Sequence, residues 1–441
     1  MINKLKKVYK RIQVYLANTA WIMAEKIAVM GLTFGVTVVL ARYLGPEQFG
    51  ILAYANSLVA IFGIAGHVGL SGLVVQELVK APESKNTTMG TSFVLKGLGY
   101  MVGFSLILIT AFLTESLGGF EFWVLFIVAF GMIFKPLDVI DFWFQSIVKA
   151  KYASISKTVA AIIGSTFKIL LVSLGAQLVW FAIAHLVQAI IASILLITFF
   201  ILKSNLKVTE WKFSKEKAKE LFSQGWVVFL GSIFAVIYLK VDQVMLRWLD
   251  GAEEVGIYTV AATMSEAWYF VPMAVVASFF PKLIKLKQES PQQYHHRLQQ
   301  LFDFLLTIAL VIAVLVTLLA NPIITIFFSD VYKDAVPILV VHVWAALFIF
   351  LRAAFSKWIL IENVLMFSLI TQGLGAITNV ALNFWLIPRY GGLGAAYATL
   401  ISYAMASYIA LLFNPKTQVV FVMMTKSFFA PIRYSLLRKR T

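Results

Sequence analysis

The chain reads as an all-α integral membrane protein of twelve transmembrane helices in two pseudo-symmetric six-helix lobes, and three observations carry that reading. Of its 441 residues, 61% are hydrophobic and only 13% are charged, more apolar surface than one soluble core can hide. Apolar windows of about twenty residues recur at 19–41, 48–70, 90–113, 121–142, 157–175, 178–202, 222–246, 257–280, 300–321, 335–356, 364–387 and 391–413. These lengths fit helices, not barrel strands, in a solvent that cannot satisfy backbone polar groups. The third observation is a repeat. "ARYLGPEQFGILAYANS" from Ala41 is echoed by "RWLDGAEEVGIYTVAATMSE" from Arg247, pairing Arg42 with Arg247 and, after a one-residue insertion, Gly50 with Gly256. Self-similarity at this distance marks a duplicated unit. The boundaries expected are 1–205 for the first lobe, 206–413 for the second, which opens with a cytoplasmic linker, and 414–441 for a basic tail that reads as interfacial.

Lys and Arg in short loops are retained on the cytoplasmic side. With the N-terminus inside, cytoplasmic segments hold 27 of the 37 cations, the opposite side holds Arg42, Arg247, Lys333 and Arg389, and six lie within spans. Both termini are therefore expected in the cytoplasm. "MINKLKKVYKRIQVYLANTAW" opens basic, but the apolar run behind it is of full span length, so an uncleaved first helix is expected.

Composition also excludes function classes. The net charge of +16 sits beside bilayer boundaries and forms no continuous basic groove, so no nucleic-acid partner is expected. Cysteine is absent, which removes disulfides, thiol catalysis and thiolate metal sites. No Gly-Lys dipeptide occurs, so there is no phosphate-binding loop of the GxxxxGK[ST] kind. No cofactor or metal is expected, and active transport would draw on an ion gradient.

Taken in order, the first span carries Glu25 and Lys26 about eight residues inside, roughly 12 Å deep, with Gly31 and Gly35 at a close-packing spacing. Lys26 either lines a polar pathway or snorkels to the cytoplasmic face. Lys96 in the third span lies nearer that face, where snorkelling is the simpler reading. The fourth span contains "FKPLDVIDFWFQS", which stacks Lys135, Asp138 and Asp141 at spacings of three, with Pro136 placed to kink the helix. Either these charges line a site, or the span ends near Pro136 and Trp143 is an aromatic-belt residue. Lys168 in the fifth span lies eleven residues beyond Lys157, roughly 16 Å in, on a face of small residues, Ala161, Gly164 and Ser165.

Residues 203–221, "KSNLKVTEWKFSKEKAKEL", are expected to form a solvated amphipathic linker helix. Beyond them Lys240 and Asp242 lie near the outer end of the seventh span. Glu266 falls near the middle of the eighth, where a buried acid needs a partner or a function. Arg352 lies in the tenth span, and Asn379 and Asn383 in the eleventh are residues that commonly join helices.

Four strings, "ARYLGPEQFGILAYANS", "DFWFQSIVKAKY", "YLKVDQVML" followed by "EEVGIYTVAA", and "PRYGGLGAAYATLIS", resemble the Wzx-type O-antigen flippases, polysaccharide exporters of the multidrug/oligosaccharidyl-lipid/polysaccharide superfamily. The resemblance covers nearly the whole chain. It implies two six-helix lobes around a central cavity, alternating access, and transfer of an undecaprenyl-diphosphate-linked oligosaccharide between leaflets of the bacterial inner membrane. Implied partners are that lipid, the surrounding membrane lipids, a polysaccharide polymerase and a chain-length regulator. No catalytic constellation comes with it.

The residues suit such a cargo. A diphosphate needs charge-assisted hydrogen bonds, and Lys168, Lys135, Lys240, Arg352 and Lys26 are the span-embedded cations expected to contact it. Glu266, with Asp242, Asp138 and Asp141 as alternatives, is the expected coupling-ion carrier. An organic-cation exporter of the same superfamily is the rival reading, which Glu266 favours and Lys168 opposes. A membrane glycosyltransferase or polymerase would need a larger outer loop than the chain offers.

The topology is directly testable because the chain lacks cysteine. A single cysteine at Glu47, Glu115 or Glu253 should react with a membrane-impermeant reagent in intact cells, and one at Lys217 should not; the reverse pattern would invert the orientation.

Overall fold

In the computed structural model, which describes residues 2–114, 119–204 and 206–430, the apolar windows fold as helices and the described residues contain no strand. Glu115 and residues 431–441 of the basic tail lie outside the described residues. Ten helical stretches are long and apolar enough to cross a bilayer. The two longest, Ala17–Lys80 and Met366–Phe413, are each interrupted by a glycine with non-helical backbone, Gly45 and Gly391. The pattern is thus compatible with twelve crossings.

The chain divides into two compact units, residues 1–44 with 51–233, and residues 45–50 with 234–441. In the first, helix α1 (Ile2–His67) is followed by α2 (Leu70–Lys80), α3 (Lys85–Thr114) and α4 (Phe120–Phe130). Gly131–Asp138 then winds as a 3-10 helix before α5 (Val139–Ser146), α6 (Lys151–Ser173), α7 (Leu178–Lys203) and the first part of α8 (Lys215–Leu249). Pro136 falls inside that 3-10 stretch; it removes one backbone donor and tightens the turn at the place where the sequence suggested a kink. Trp143 is not an interfacial ring. It is buried, with its ring 5.2 Å from Phe200 and 5.0 Å from Phe144.

The linker departs from expectation. Residues 211–214 have no helical turn, and the regular helix begins only at Lys215. The segment is instead held extended against α3. Lys212 N donates to Asn86 O at 3.2 Å, Ser214 N donates to Thr91 Oγ1 at 3.1 Å, and the Trp211 ring lies 5.6 Å from Phe93. A Cβ at Gly90 would meet the Lys212 backbone at 2.6 Å, so the strap passes directly over that glycine. Lys217 fastens the start of α8 to Glu77 at 2.6 Å. A periodicity of charge suggested a solvated helix, but backbone bonding to α3 and burial of apolar rings decide the conformation.

The second unit contains the rest of α8, then α9 (Ala252–Glu266), α10 (Phe270–Glu289), α11 (Pro291–Phe328), α12 (Ala335–His342), α13 (Ala345–Glu362), α14 (Leu365–Ser407) and α15 (Pro415–Phe428). Asn414 caps α15 by accepting from Lys416 N at 2.9 Å, with Pro415 at the first helical position, a helix start that suits both residue types. The α15 helix docks on α11. Asp303, buried there, accepts from Ser427 Oγ at 2.7 Å and from Gln299 Nε2 at 2.8 Å.

The repeated motif is also visible in the backbone. Gly45 has φ 72° and Gly251 has φ 104°, conformations that disfavour any side chain, and each precedes the helix carrying Gly50 or Gly256. Those last two face each other inside the second unit. A Cβ on Gly50 would overlap the Ala252 carbonyl and stand 2.8 Å from Gly256 N, and one on Gly256 would overlap the Pro46 carbonyl. By contrast Gly31 and Gly35, whose spacing suggested helix packing, have no neighbouring atom within 4 Å of a Cβ position.

This contrast sets a stability test. Gly256→Ala should cost about 1–3 kcal/mol by overpacking, seen as a lower thermal midpoint of the detergent-solubilised protein, whereas Gly35→Ala should hold or raise it through better helix propensity. Equal midpoints would show that the Gly50–Gly256 approach does not constrain the fold.

Candidate functional site

The first unit encloses a cavity of about 480 Å³ whose polar lining includes Glu25, Asn56, Lys135, Asp138, Lys157 and His185. Its wall is built at the 3-10 stretch. Three residues per turn eclipse positions i and i+3, so Lys135 and Asp138 stand one above the other on the cavity side. Asp141, the next in that series, is 7% exposed; it accepts from Gln145 Nε2 at 3.0 Å and forms a close ion pair with Lys157. Lys26 is exposed and is not part of the lining, since adjacent helical positions point about 100° apart.

Lys157, from which the depth of Lys168 is measured in the sequence, itself lines the cavity. The signal was present. Positions 157, 161, 164 and 168 follow one helical stripe, so the small-residue face leading to Lys168 begins at Lys157. That face packs closely on α7: a Cβ on Gly164 would sit 2.6 Å from Gln188 Oε1. The expected room beside Gly164 is therefore filled by Gln188, itself part of the cavity lining.

Lys168 is 7% exposed, and among the described residues it has neither a hydrogen bond nor an ion pair. His185 lies within electrostatic reach of both Lys168 and Lys135, which puts Lys168 at the margin of the charged region. Lys96 does not snorkel. It is 1% exposed, with Nζ 5.0 Å from the Phe142 ring centre and 5.7 Å from that of Tyr100, a cation held on aromatic faces.

In the second unit the neighbours Lys240 and Asp242 diverge, as residues about 200° apart on a helix must. Asp242 is 2% exposed. It accepts from Tyr258 Oη at 2.8 Å, Thr399 Oγ1 at 2.5 Å and Asn383 Nδ2 at 2.6 Å. Asn383 also donates to Asn379 Oδ1 at 3.1 Å, and its own buried Oδ1 has no partner. No cation stands within ion-pairing distance of Asp242 among the described residues. Behind this group His342 Nδ1 and Ser265 Oγ are 2.9 Å apart. The two asparagines do join helices, and one of them does so through a carboxylate.

Lys240 Nζ and Glu266 Oε2 are 3.7 Å apart, their side chains 33% and 29% exposed. Arg352 is not directed toward an interface. Its Nη1 donates to Thr371 Oγ1 at 2.9 Å and to Ala406 O at 3.1 Å, and its Nη2 to Ser368 Oγ at 3.1 Å, so α13 is tied to α14 through neutral acceptors. The sequence-derived residues thus fall into separate places: Lys135, Asp138 and Asp141 around the cavity, Lys168 at its margin, Lys26 outside, and Lys240, Asp242, Glu266 and Arg352 in the second unit.

Residues 15–287, more than half of the chain, match the family described as polysaccharide biosynthesis protein. A Haloferax volcanii protein named as a flippase, AglR, is 25% identical over 402 residues, covering 86% of this chain and 79% of its own. A Shigella flexneri protein named for O-antigen transport is 26% identical over 378 residues, covering 81% and 87%. Among solved structures, the lipid II flippase MurJ in an inward-closed conformation superposes with a TM-score of 0.70 at 15% identity, covering 96% of this chain and 93% of that one. The multidrug transporter DinF-BH gives 0.62 at 15% identity, covering 93% and 96%. The chain, a multi-pass membrane protein, therefore belongs to the polysaccharide biosynthesis protein family and has the fold shared by MurJ and the multidrug transporters of that superfamily.

Proposed function

We propose that the protein is a flippase that carries an undecaprenyl-diphosphate-linked oligosaccharide from the cytoplasmic to the periplasmic leaflet of a bacterial inner membrane, by alternating access and with both termini in the cytoplasm. The supporting observation is the lysine-bearing cavity of the first unit in a chain of this family. Charges in hydrocarbon cost roughly 2.5–3.5 kcal/mol each even on insertion scales, so Lys135, Lys157 and Lys168 are retained against a substantial penalty. A diphosphate head offers the oxygen acceptors that such ammonium groups require. The names of the relatives, a flippase and an O-antigen transport protein, support the same class. A polymerase and a chain-length regulator are the expected downstream partners.

An organic-cation cargo is less well supported. Asp141 is neutralised by Lys157, and Asp242 is saturated with neutral donors, so neither is open to a bulky cation. Asp242 has instead the features of the coupling group: a fully buried carboxylate with no counter-charge, beside the unsatisfied Asn383 oxygen. A proton or a small cation binding there would change the charge of the buried cluster, and with it the balance between two conformations.

Two outcomes test the reading in a strain whose surface glycan depends on this gene. Lys168→Ala should leave the protein abundant in the membrane but reduce export; loss of one charged contact at about 2 kcal/mol corresponds to roughly 30-fold. Lys168→Arg should retain part of the export, because the positive charge survives. Normal export by abundant Lys168→Ala protein would remove this residue from the cargo path. Asp242→Asn should keep the fold's hydrogen bonds in large part while abolishing the dependence of transport on the ion gradient, measured in proteoliposomes with imposed gradients; unchanged dependence would remove Asp242 from coupling.

A further inference from the structure

The Lys240–Glu266 pair differs from every other span-embedded charge in the second unit. Asp242 uses both carboxylate oxygens in hydrogen bonds, and Arg352 makes three. At 3.7 Å Lys240 and Glu266 are too far apart for a hydrogen bond, and among the described residues neither makes one elsewhere. Three N–H donors and the lone pairs of a carboxylate are thus left open. Both side chains are about a third exposed, although Glu266 lies near the middle of its apolar window, about nine residues or roughly 14 Å from its start. Such groups turned to hydrocarbon would carry the full penalty of intramembrane charge, so their open sides face water or a polar ligand.

The surroundings sharpen the choice of ligand. The eighth span tightens directly after Glu266: Ala267–Tyr269 form a turn between α9 and α10 that stays right-handed helical, with Tyr269 N donating to Glu266 O at 2.9 Å. A tightened turn inside a long helix often marks a functional hinge. On this turn the buried Tyr269 hydroxyl meets no partner in good hydrogen-bond geometry, the Ser265 side chain beside it being poorly aligned, an arrangement that costs free energy unless something completes it. Tyr403 and Tyr269 both stand within electrostatic reach of Glu266, and Tyr238 meets Tyr403 edge to face with ring centres 5.2 Å apart. The group therefore combines a cation, a carboxylate, an unpaired hydroxyl and aromatic walls.

From this geometry we infer that Lys240, Glu266 and Tyr269 form a saccharide subsite, which binds the hydroxyl groups of the glycan and not its diphosphate. A sugar hydroxyl both donates and accepts, so one hydroxyl bridges the 3.7 Å gap, accepting from Lys240 and donating to Glu266. A second engages Tyr269 Oη, and the apolar face of a pyranose ring rests against tyrosine. A bare diphosphate, an acceptor only, would meet repulsion from Glu266 and could not satisfy the carboxylate. The inference rests on the flippase reading and assigns to this pair a role in choosing the glycan. A site built to hydrogen-bond a hydroxyl rejects a ligand lacking it more strongly than an apolar pocket rejects a misfit.

The test compares two lipids on the full-length protein in nanodiscs, by native mass spectrometry: undecaprenyl diphosphate alone, and undecaprenyl diphosphate bearing N-acetylglucosamine or galactose. Wild type should bind at least one sugar-bearing lipid more tightly than the bare lipid. Glu266→Gln and Tyr269→Phe should each reduce that preference, on the order of tenfold for the loss of a hydrogen bond to a charged group and less for the neutral hydroxyl, while affinity for the bare lipid stays unchanged. The thermal midpoint of Tyr269→Phe, measured alongside, should match that of wild type, which separates loss of the subsite from a folding defect. Equal binding of bare and sugar-bearing lipids by wild type, or variants that keep the full preference, would overturn the subsite alone. Failure of wild type to bind any of these lipids would overturn the flippase reading and the subsite with it.

Discussion

The cost of holding a charge in hydrocarbon orders most of this structure. Several ionic side chains within the spans avoid that cost, each in a different way. Lys157 and Asp141 neutralise each other, Lys96 lies on aromatic faces, and Arg352 spends its donors on hydroxyls and a backbone carbonyl. Asp242 collects three neutral donors. For Lys157, Asp141 and Arg352 the hydrogen-bonding capacity is largely used, whereas Asp242, equally saturated, is left without a counter-charge among the described residues. The residues left over, Lys135 at the cavity, Lys168 at its margin and the loose Lys240–Glu266 pair, are those with capacity to spare, and the functional reading rests on them.

The fold was legible because its signals are local or periodic. Apolar windows of bilayer length survive as helices, the interruptions at Gly45 and Gly391 fall where Gly-Pro and Gly-Gly dipeptides stand in the sequence, and the repeat returns as matched positive φ angles at Gly45 and Gly251. The linker was misread because charge periodicity carries no information about a distant partner: backbone bonds from Lys212 to Asn86 and the burial of Trp211 against Phe93 override it. Gly31 and Gly35 show the complementary error, a packing spacing with nothing packed against it.

The site was legible in part. Burial of Lys168 follows from depth along a helix, which sequence measures well, whereas Asp242, near the outer end of its span by the same measure, is buried all the same. Which charges meet does not follow, since Asp141 with Lys157 and Lys240 with Glu266 are separated by 16 and 26 residues and depend on how helices face one another. Lys157 carries no signal of its own beyond its position at the start of a span, although its register with Lys168 puts it on the same small-residue stripe. Polar residues without charge, such as Asn56, Gln188 and Thr399, gave no signal above the background of helix packing.

The glycine contact at the repeated motif has a consequence for how such a chain could arise. The approach is reciprocal: the Gly50 position meets Ala252 and Gly256, and the Gly256 position meets Pro46. That is the pattern of an isologous interface, in which a surface recognises a second copy of itself. A single-length precursor presenting this motif would hold the instructions for pairing in one sequence, and joining two copies end to end would convert that pairing from a concentration-dependent event into a permanent one. After fusion the two glycines cease to be free of each other: a side chain acquired by either copy collides with the backbone of its twin, so the halves can diverge almost everywhere except where they touch.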